Sequence, residues 1–90
     1  MYYVYMVFCS DKTFYIGSTD NLVKRIKAHN SGKGAKYTKA RRPVKLVYWE
    51  KHPNKSQALR REYQLKQWSR EEKWLLLSEQ ERWKIERVEA

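Results

Sequence analysis

Residues 2–18 read YYVYMVFCSDKTFYIGS. Tyr2 to Cys9 is apolar at both parities, the pattern of a strand covered on both faces and therefore central in its sheet. Ser10-Asp11-Lys12 is turn chemistry, and Thr13 to Ser18 returns as a second strand. A turn symmetric about Asp11 sets Val7 opposite Tyr15 and Tyr5 opposite Gly17, with Tyr5 and Tyr15 as diagonal neighbours on one face. Gly17 offers no side chain there, so a depression is expected beside the Tyr5 phenol where a phosphate could reach backbone and hydroxyl together. The plainer alternative is that Gly17 only ends the strand.

Working outward, Asp20 is placed to cap a helix running to about Asn30. At about 100° per residue, Leu22, Val23 and Ile26 form its buried arc, and Arg25 and His29 stack at i and i+4 along the border. Val44 to Lys51 reads as a third strand bounded by Pro43 and Pro53. Asn54 or Ser56 then caps a helix to about Trp68 whose apolar arc is Ala58, Leu59, Tyr63, Leu65 and Trp68. Glu62 falls inside that arc. A carboxylate at such an address needs a cation, and three are available: Lys66 at i+4, a bound metal, or Arg25 from the other helix. Two short amphipathic segments follow, Arg70 to Leu77 and Ser78 to about Val88, the second opened by a Ser78/Glu81 capping box. Trp74, Leu75, Leu77, Trp83 and Ile85 are read as packing these segments on the rest, as core and not as a base-stacking platform.

Ninety residues make one domain, 1–90, because neither half of so short a chain could bury a core. Residues 69–90 form a helical extension of it. Aromatics reach 14%, so Trp and Tyr must supply much of the buried area. One Cys and two His exclude an intrachain disulfide and a structural zinc site, and fit a reducing cytoplasm. No stretch approaches the roughly 20 apolar residues of a membrane span, so a soluble, unexported protein is expected.

Twenty Lys and Arg against ten acids give a net charge of +10, self-repulsion that a polyanionic partner would offset. The charge is uneven. Between Gly32 and Lys45 lie Lys33, Lys36, Lys39, Arg41 and Arg42 with no acid. That run reads either as a mobile surface loop or, with Tyr37 and the glycines inside it, as a nucleic-acid contact that grips phosphates and stacks a base.

Tyr3-Val4-Tyr5 and Tyr15-Ile16-Gly17, an Arg eight residues past Gly17 and a Glu in a later helix together resemble the GIY-YIG nuclease superfamily, over roughly Tyr2 to Trp68. The small stand-alone bacterial members are the nearest likeness. Tyr3 stands where the family name has Gly. The resemblance implies an α+β fold, a small three-stranded antiparallel sheet flanked by helices. It also implies a divalent-metal-dependent endonuclease that hydrolyses phosphodiester bonds. Glu62 would then hold one Mg²⁺ or Mn²⁺, Arg25 would stabilise the phosphorane, and Tyr5, Tyr15 and His29 would orient and deprotonate water. A phenol with a pKa near 10 is a poor base unless a neighbouring cation depresses it, so Tyr15, Tyr5 and His29 all stand as bases. Gly17, Lys33, Lys36, Tyr37, Lys39, Arg41 and Arg42 are the expected nucleic-acid contacts, with DNA ahead of RNA, no membrane, and room for a targeting protein partner. Two other classes fit the same charge: a non-catalytic DNA- or structured-RNA-binding protein, and a small basic protein-interaction module.

Overall fold

A computed structural model describes residues 1–82. The elements are β1 (Tyr2–Phe8), β2 (Phe14–Thr19), α1 (Leu22–Asn30), α2 (Lys36–Lys39), β3 (Lys45–His52), α3 (Lys55–Lys66) and α4 (Arg70–Leu75). The three strands form one antiparallel sheet in the order β2-β1-β3, so the doubly apolar first strand is the central one. Its register with β2 pairs Val7 with Tyr15 and Tyr5 with Gly17, as symmetry about Asp11 requires. Asp11 fixes that turn by accepting from both the amide and the hydroxyl of Thr13.

Alternation along β1 feeds two cores. Val4 and Met6 join Ile16, Val47, Ala58, Leu65 and Leu77 on the face that α3 covers. Tyr5 and Val7 join Cys9 and Val44 on the other face, against Leu22 and Ile26 of α1. No helix among the described residues is long and apolar enough to cross a membrane.

Several local expectations are corrected. The cap of α1 is Asn21, not Asp20: its side chain accepts from the Lys24 amide at 3.0 Å, three residues on, as a cap should. Val23 is 67% exposed, because the inward arc of this short helix is Leu22, Ile26 and His29. In α3 the buried stripe narrows to Ala58 and Leu65, leaving Leu59 and Tyr63 exposed; a helix lying flat on a small sheet touches it along one row. Leu75 is also exposed, while Leu77 is buried. A full capping box opens α4, between Ser69 and Glu72. At the expected later one, the Glu81 amide donates to Ser78 Oγ at 3.2 Å. Trp83, Ile85 and the helix end near Val88 lie outside the described residues.

One feature of β3 has no trace in its alternation. A bulge shifts its register against β1, so that Val7 faces Leu46 while Met6 faces Tyr48. The extra residue, Val47, reverses the parity beyond it. Tyr48, Glu50 and His52 thereby point to the α3 side, where Glu50 accepts from Tyr48 Oη (2.5 Å), from Arg61 Nε (2.7 Å) and pairs with His52 Nε2 (3.0 Å). Burial pushes the Glu50 carboxyl up, but bonds from Arg61, Tyr48 and His52 outweigh it and hold it below its usual value. A depressed carboxyl stabilises the fold above its unfolded pKa of about 4 and loses that contribution as pH falls through the folded value. Arg61→Ala should therefore cost roughly 1–3 kcal/mol at pH 7 by leaving a half-buried carboxylate short of its main partner. Urea titrations from pH 7 downward should find that loss shrinking as the carboxyl takes up its proton.

Candidate active site

Tyr5 is 1% exposed, so its hydroxyl needs partners from within the protein. They come from α1. His29 Nε2 lies 2.7 Å from Tyr5 Oη, and Arg25 Nε donates to the same oxygen at 3.3 Å. The i, i+4 spacing of Arg25 and His29 on one helix face is what lets both reach a single phenol. Tyr15 closes the group: its ring meets His29 edge-on at 5.5 Å, and its hydroxyl helps, after Tyr5, to hold the Arg25 guanidinium charged.

Gly17 is where the expectation fails in an informative way. A Cβ there would sit 2.5 Å from Tyr5 Oη, so the space that glycine vacates is filled by the phenol itself. Gly17 is itself buried. Gly34 plays the same part for His29, whose Nδ1 and Cα a Cβ would strike.

His29 is 0% exposed and spans the site. Its Nδ1 is 2.7 Å from Thr38 Oγ1, and the Ala35 amide approaches the same nitrogen at 3.4 Å. Burial, and then the neighbouring Arg25 charge, lower its pKa to about 4, so the imidazole is neutral at pH 7. For Tyr5, burial outweighs the bond from Arg25 and pushes the phenol up. Sequence reasoning misses Thr38. Its one signal is an uncharged hydroxyl inside a basic run, and threonine there is unremarkable.

Glu62 lies 2.8 Å from Lys66 in an i, i+4 ion pair and keeps 17% of its side chain exposed. Lys66 Nζ is also 5.9 Å from the centre of the Tyr15 ring, so the ion pair borders the cluster at Tyr15. Of the three cations open to it, the ion pair is with Lys66. No group of three or more His, Cys, Asp or Glu that could hold a metal occurs among the described residues. A lone carboxylate does not suit zinc, which takes three or four protein ligands. It does suit Mg²⁺, which keeps several waters and accepts one or two carboxylates plus substrate phosphates. The Lys66 ammonium is about half exposed, so it can swing out into water and leave the carboxylate to an ion.

The basic run is an ordered strap and not a mobile loop. Asn30 accepts from the Val44 amide and donates to its carbonyl. Arg42 donates to the Lys39 and Asn30 carbonyls, and Arg41 pairs with Asp11 at 2.8 Å and donates to the Tyr37 carbonyl. The Tyr37 ring stacks on Tyr15 at 5.7 Å with Arg41 3.8 Å from its centre. Tyr37, Arg41 and Arg42 make these internal contacts, with Tyr37 and Arg42 still exposed, and Lys33, Lys36 and Lys39 are exposed as well.

The lowered His29 pKa has a stability consequence. The unfolded chain binds this proton below about pH 6.5 and the folded chain only near 4, so stability should fall as pH drops across that window. Melting temperatures of His29→Gln between pH 7 and 4 should have a shallower slope than wild type.

A family model for the GIY-YIG catalytic domain matches residues 1–74. A UPF0213 protein of Staphylococcus haemolyticus is 54% identical over 78 residues, 87% of this chain and 95% of the relative. A UPF0213 protein of Clostridium perfringens is 55% identical over 87% of this chain and 84% of its own length. The solution NMR structure of a UPF0213 protein from Bacillus halodurans superposes with a TM-score of 0.54 at 47% identity, covering 84% of this chain and 82% of that one. With the sheet order and the paired tyrosine motifs in place, the chain belongs to the GIY-YIG family, whose catalytic domain is of the nuclease type that cleaves nucleic acid.

Proposed function

We propose that the protein is a divalent-metal-dependent endonuclease-like domain that hydrolyses phosphodiester bonds, in DNA before RNA. The observation that carries this reading is that Arg25 Nε and His29 Nε2 meet on the Tyr5 hydroxyl beside the Tyr15 ring, with the Glu62–Lys66 pair bordering Tyr15.

Glu62 would hold Mg²⁺ or Mn²⁺, an ion that supplies Lewis-acid charge at a phosphate oxygen. The remaining work falls to the chain. Arg25, held by Tyr5, presents its guanidinium where the charge on the phosphorane develops, a preorganised donor of the kind that favours the transition state over the bound substrate. Tyr15 is half-buried where Tyr5 is fully covered, so Tyr15 is the phenol able to orient an attacking water. His29 is neutral, and its Nε2 and Nδ1 face Tyr5 and Thr38; its part is to fix the Tyr5 hydroxyl, which in turn holds Arg25. The lysines Lys33, Lys36 and Lys39 offer their ammonium groups to the phosphate backbone, and Arg41 and Arg42 shape the strap that carries them.

Glu62→Ala should abolish metal-dependent cleavage, and with it Mn²⁺ binding by titration calorimetry, while the fold persists; unchanged Mn²⁺ affinity would leave Glu62 as a mere partner of Lys66. Arg25→Ala should cut the single-turnover rate by roughly a hundredfold with little change in substrate affinity. Lys at that position should rescue poorly, since it offers a point charge in place of a planar fork.

Replacing Lys33, Lys36 and Lys39 together with Ala should weaken binding to all sequences alike. The slope of log affinity against log salt should flatten by roughly 0.9 for each duplex phosphate that is no longer neutralised. A slope equal to wild type would move the phosphate-binding surface elsewhere on the molecule.

A further inference from the structure

The hydrogen bonds around His29 continue past the imidazole. On one side Nε2 meets Tyr5 Oη at 2.7 Å; on the other, Nδ1 meets Thr38 Oγ1 at 2.7 Å, and Thr38 Oγ1 in turn donates to the Ala35 carbonyl at 3.0 Å. Thr38 is 0% exposed, and it sits in α2, a turn of only four residues whose neighbouring side chains face outward. A buried hydroxyl aimed at the far nitrogen of a site histidine has the geometry of the third member in a nucleophile–base–orienter series.

A hydroxyl has one proton, and a neutral imidazole has one N–H and one lone pair, so the partners decide the tautomer. With the Thr38 proton on the Ala35 carbonyl, Thr38 Oγ1 is left to accept from Nδ1–H. Nε2 then carries the lone pair and accepts from the Tyr5 hydroxyl, whose oxygen in turn accepts from Arg25 Nε. Every buried donor in that chain is satisfied. The opposing contact is the Ala35 amide, 3.4 Å from Nδ1, which favours a proton on Nε2. That arrangement would strand the Tyr5 proton, since no other acceptor for it exists among the described residues. Tyr5 is fully buried and Ala35 only half-buried. An unpaired donor costs more where water cannot reach it, so the Nδ1–H tautomer prevails.

We infer that Thr38 is a positioning residue of the site: its hydroxyl fixes His29 as the Nδ1–H tautomer, so that the Nε2 lone pair faces the Tyr5 hydroxyl. The inference deepens the proposed nuclease reading and rests on it for its kinetic consequence, though not for the tautomer itself. The strap that carries the exposed Lys36 and Lys39 thus also sets the imidazole, and the element that would meet the phosphate backbone is the one that orders the site.

The test has two independent readouts. In the free protein, long-range ¹H–¹⁵N spectra of the His29 ring should place the proton on Nδ1 in wild type and in Thr38→Ser, and shift it to Nε2 in Thr38→Val. A wild-type ring protonated on Nε2 overturns the inference, because the Ala35 amide would then be the group that sets the tautomer; so does a Thr38→Val spectrum identical to wild type. In single-turnover cleavage, Thr38→Val should lose roughly tenfold or more in rate with unchanged substrate affinity, and Thr38→Ser should recover most of it. Equal loss in Ser and Val would make the role one of methyl packing and would sink the proposal. Should Thr38→Val fail to fold, Thr38→Ala takes its place with the same expected shift to Nε2, and a spectrum identical to wild type again overturns the inference. If wild type cleaves nothing while the spectra come out as expected, the nuclease reading fails and the positioning of His29 by Thr38 stands.

Discussion

A phenol in the middle of a central strand cannot reach water and has to be bonded where it lies. For Tyr5 that requirement organises one half of the molecule. Its partners, Arg25 and His29, must come from a helix laid across that face of the sheet, which sets where α1 crosses. His29, once buried, needs a partner for its second nitrogen, and Thr38 supplies it, which draws the chain after α1 back over the helix end. Gly17 and Gly34 are the two places where this chain of contacts leaves no room for a Cβ. Burying so many polar groups in a small domain is tolerable only because each is satisfied.

The opposite face solves a different problem. There the contents are chiefly aliphatic, with Val4, Met6, Ile16, Ala58 and Leu65 packed together, and a half-buried carboxylate, Glu50, is gripped by Arg61, Tyr48 and His52. That grip ties α3 to β3, while Glu62 on the same helix reaches the other edge of the sheet. α3 is therefore anchored on one flank by the Glu50 cluster, and on the other it carries the Glu62–Lys66 pair to the border of Tyr15.

Much of this is legible in the residues. The period of β1 and the turn at Asp11 set the strand order and register, and the i, i+4 spacing pairs Arg25 with His29. What escapes are facts that depend on tertiary contacts. The bulge at Val47 inverts the facing of Tyr48, Glu50 and His52 and leaves no mark in a strand's alternation. The arcs of α1 and α3 come out too wide because a helical wheel does not know how narrow the sheet beneath it is. Val23, Leu59 and Tyr63 lie on the unused margin. Gly17 reads as a gap because the wheel and the ladder place backbones, whereas the Tyr5 rotamer that fills the gap is set by His29 and Arg25.

The excess of positive charge divides along chemical lines. Arg41, Arg42, Arg61 and Arg70 each bond backbone carbonyls or carboxylates, and Arg41, Arg61 and Arg70 lie over aromatic rings as well. Those are tasks for a planar fork that is weakly hydrated and can be partly covered. Lys33, Lys36 and Lys39 stay in water, as compact and strongly hydrated ammonium groups prefer. In the strap between α1 and β3 the arginines fix a scaffold from which the lysines project. Arg25 belongs to both groups at once. Its Nε is committed to Tyr5, which holds the side chain in place, and a guanidinium bonded through Nε keeps further donors on its two terminal nitrogens.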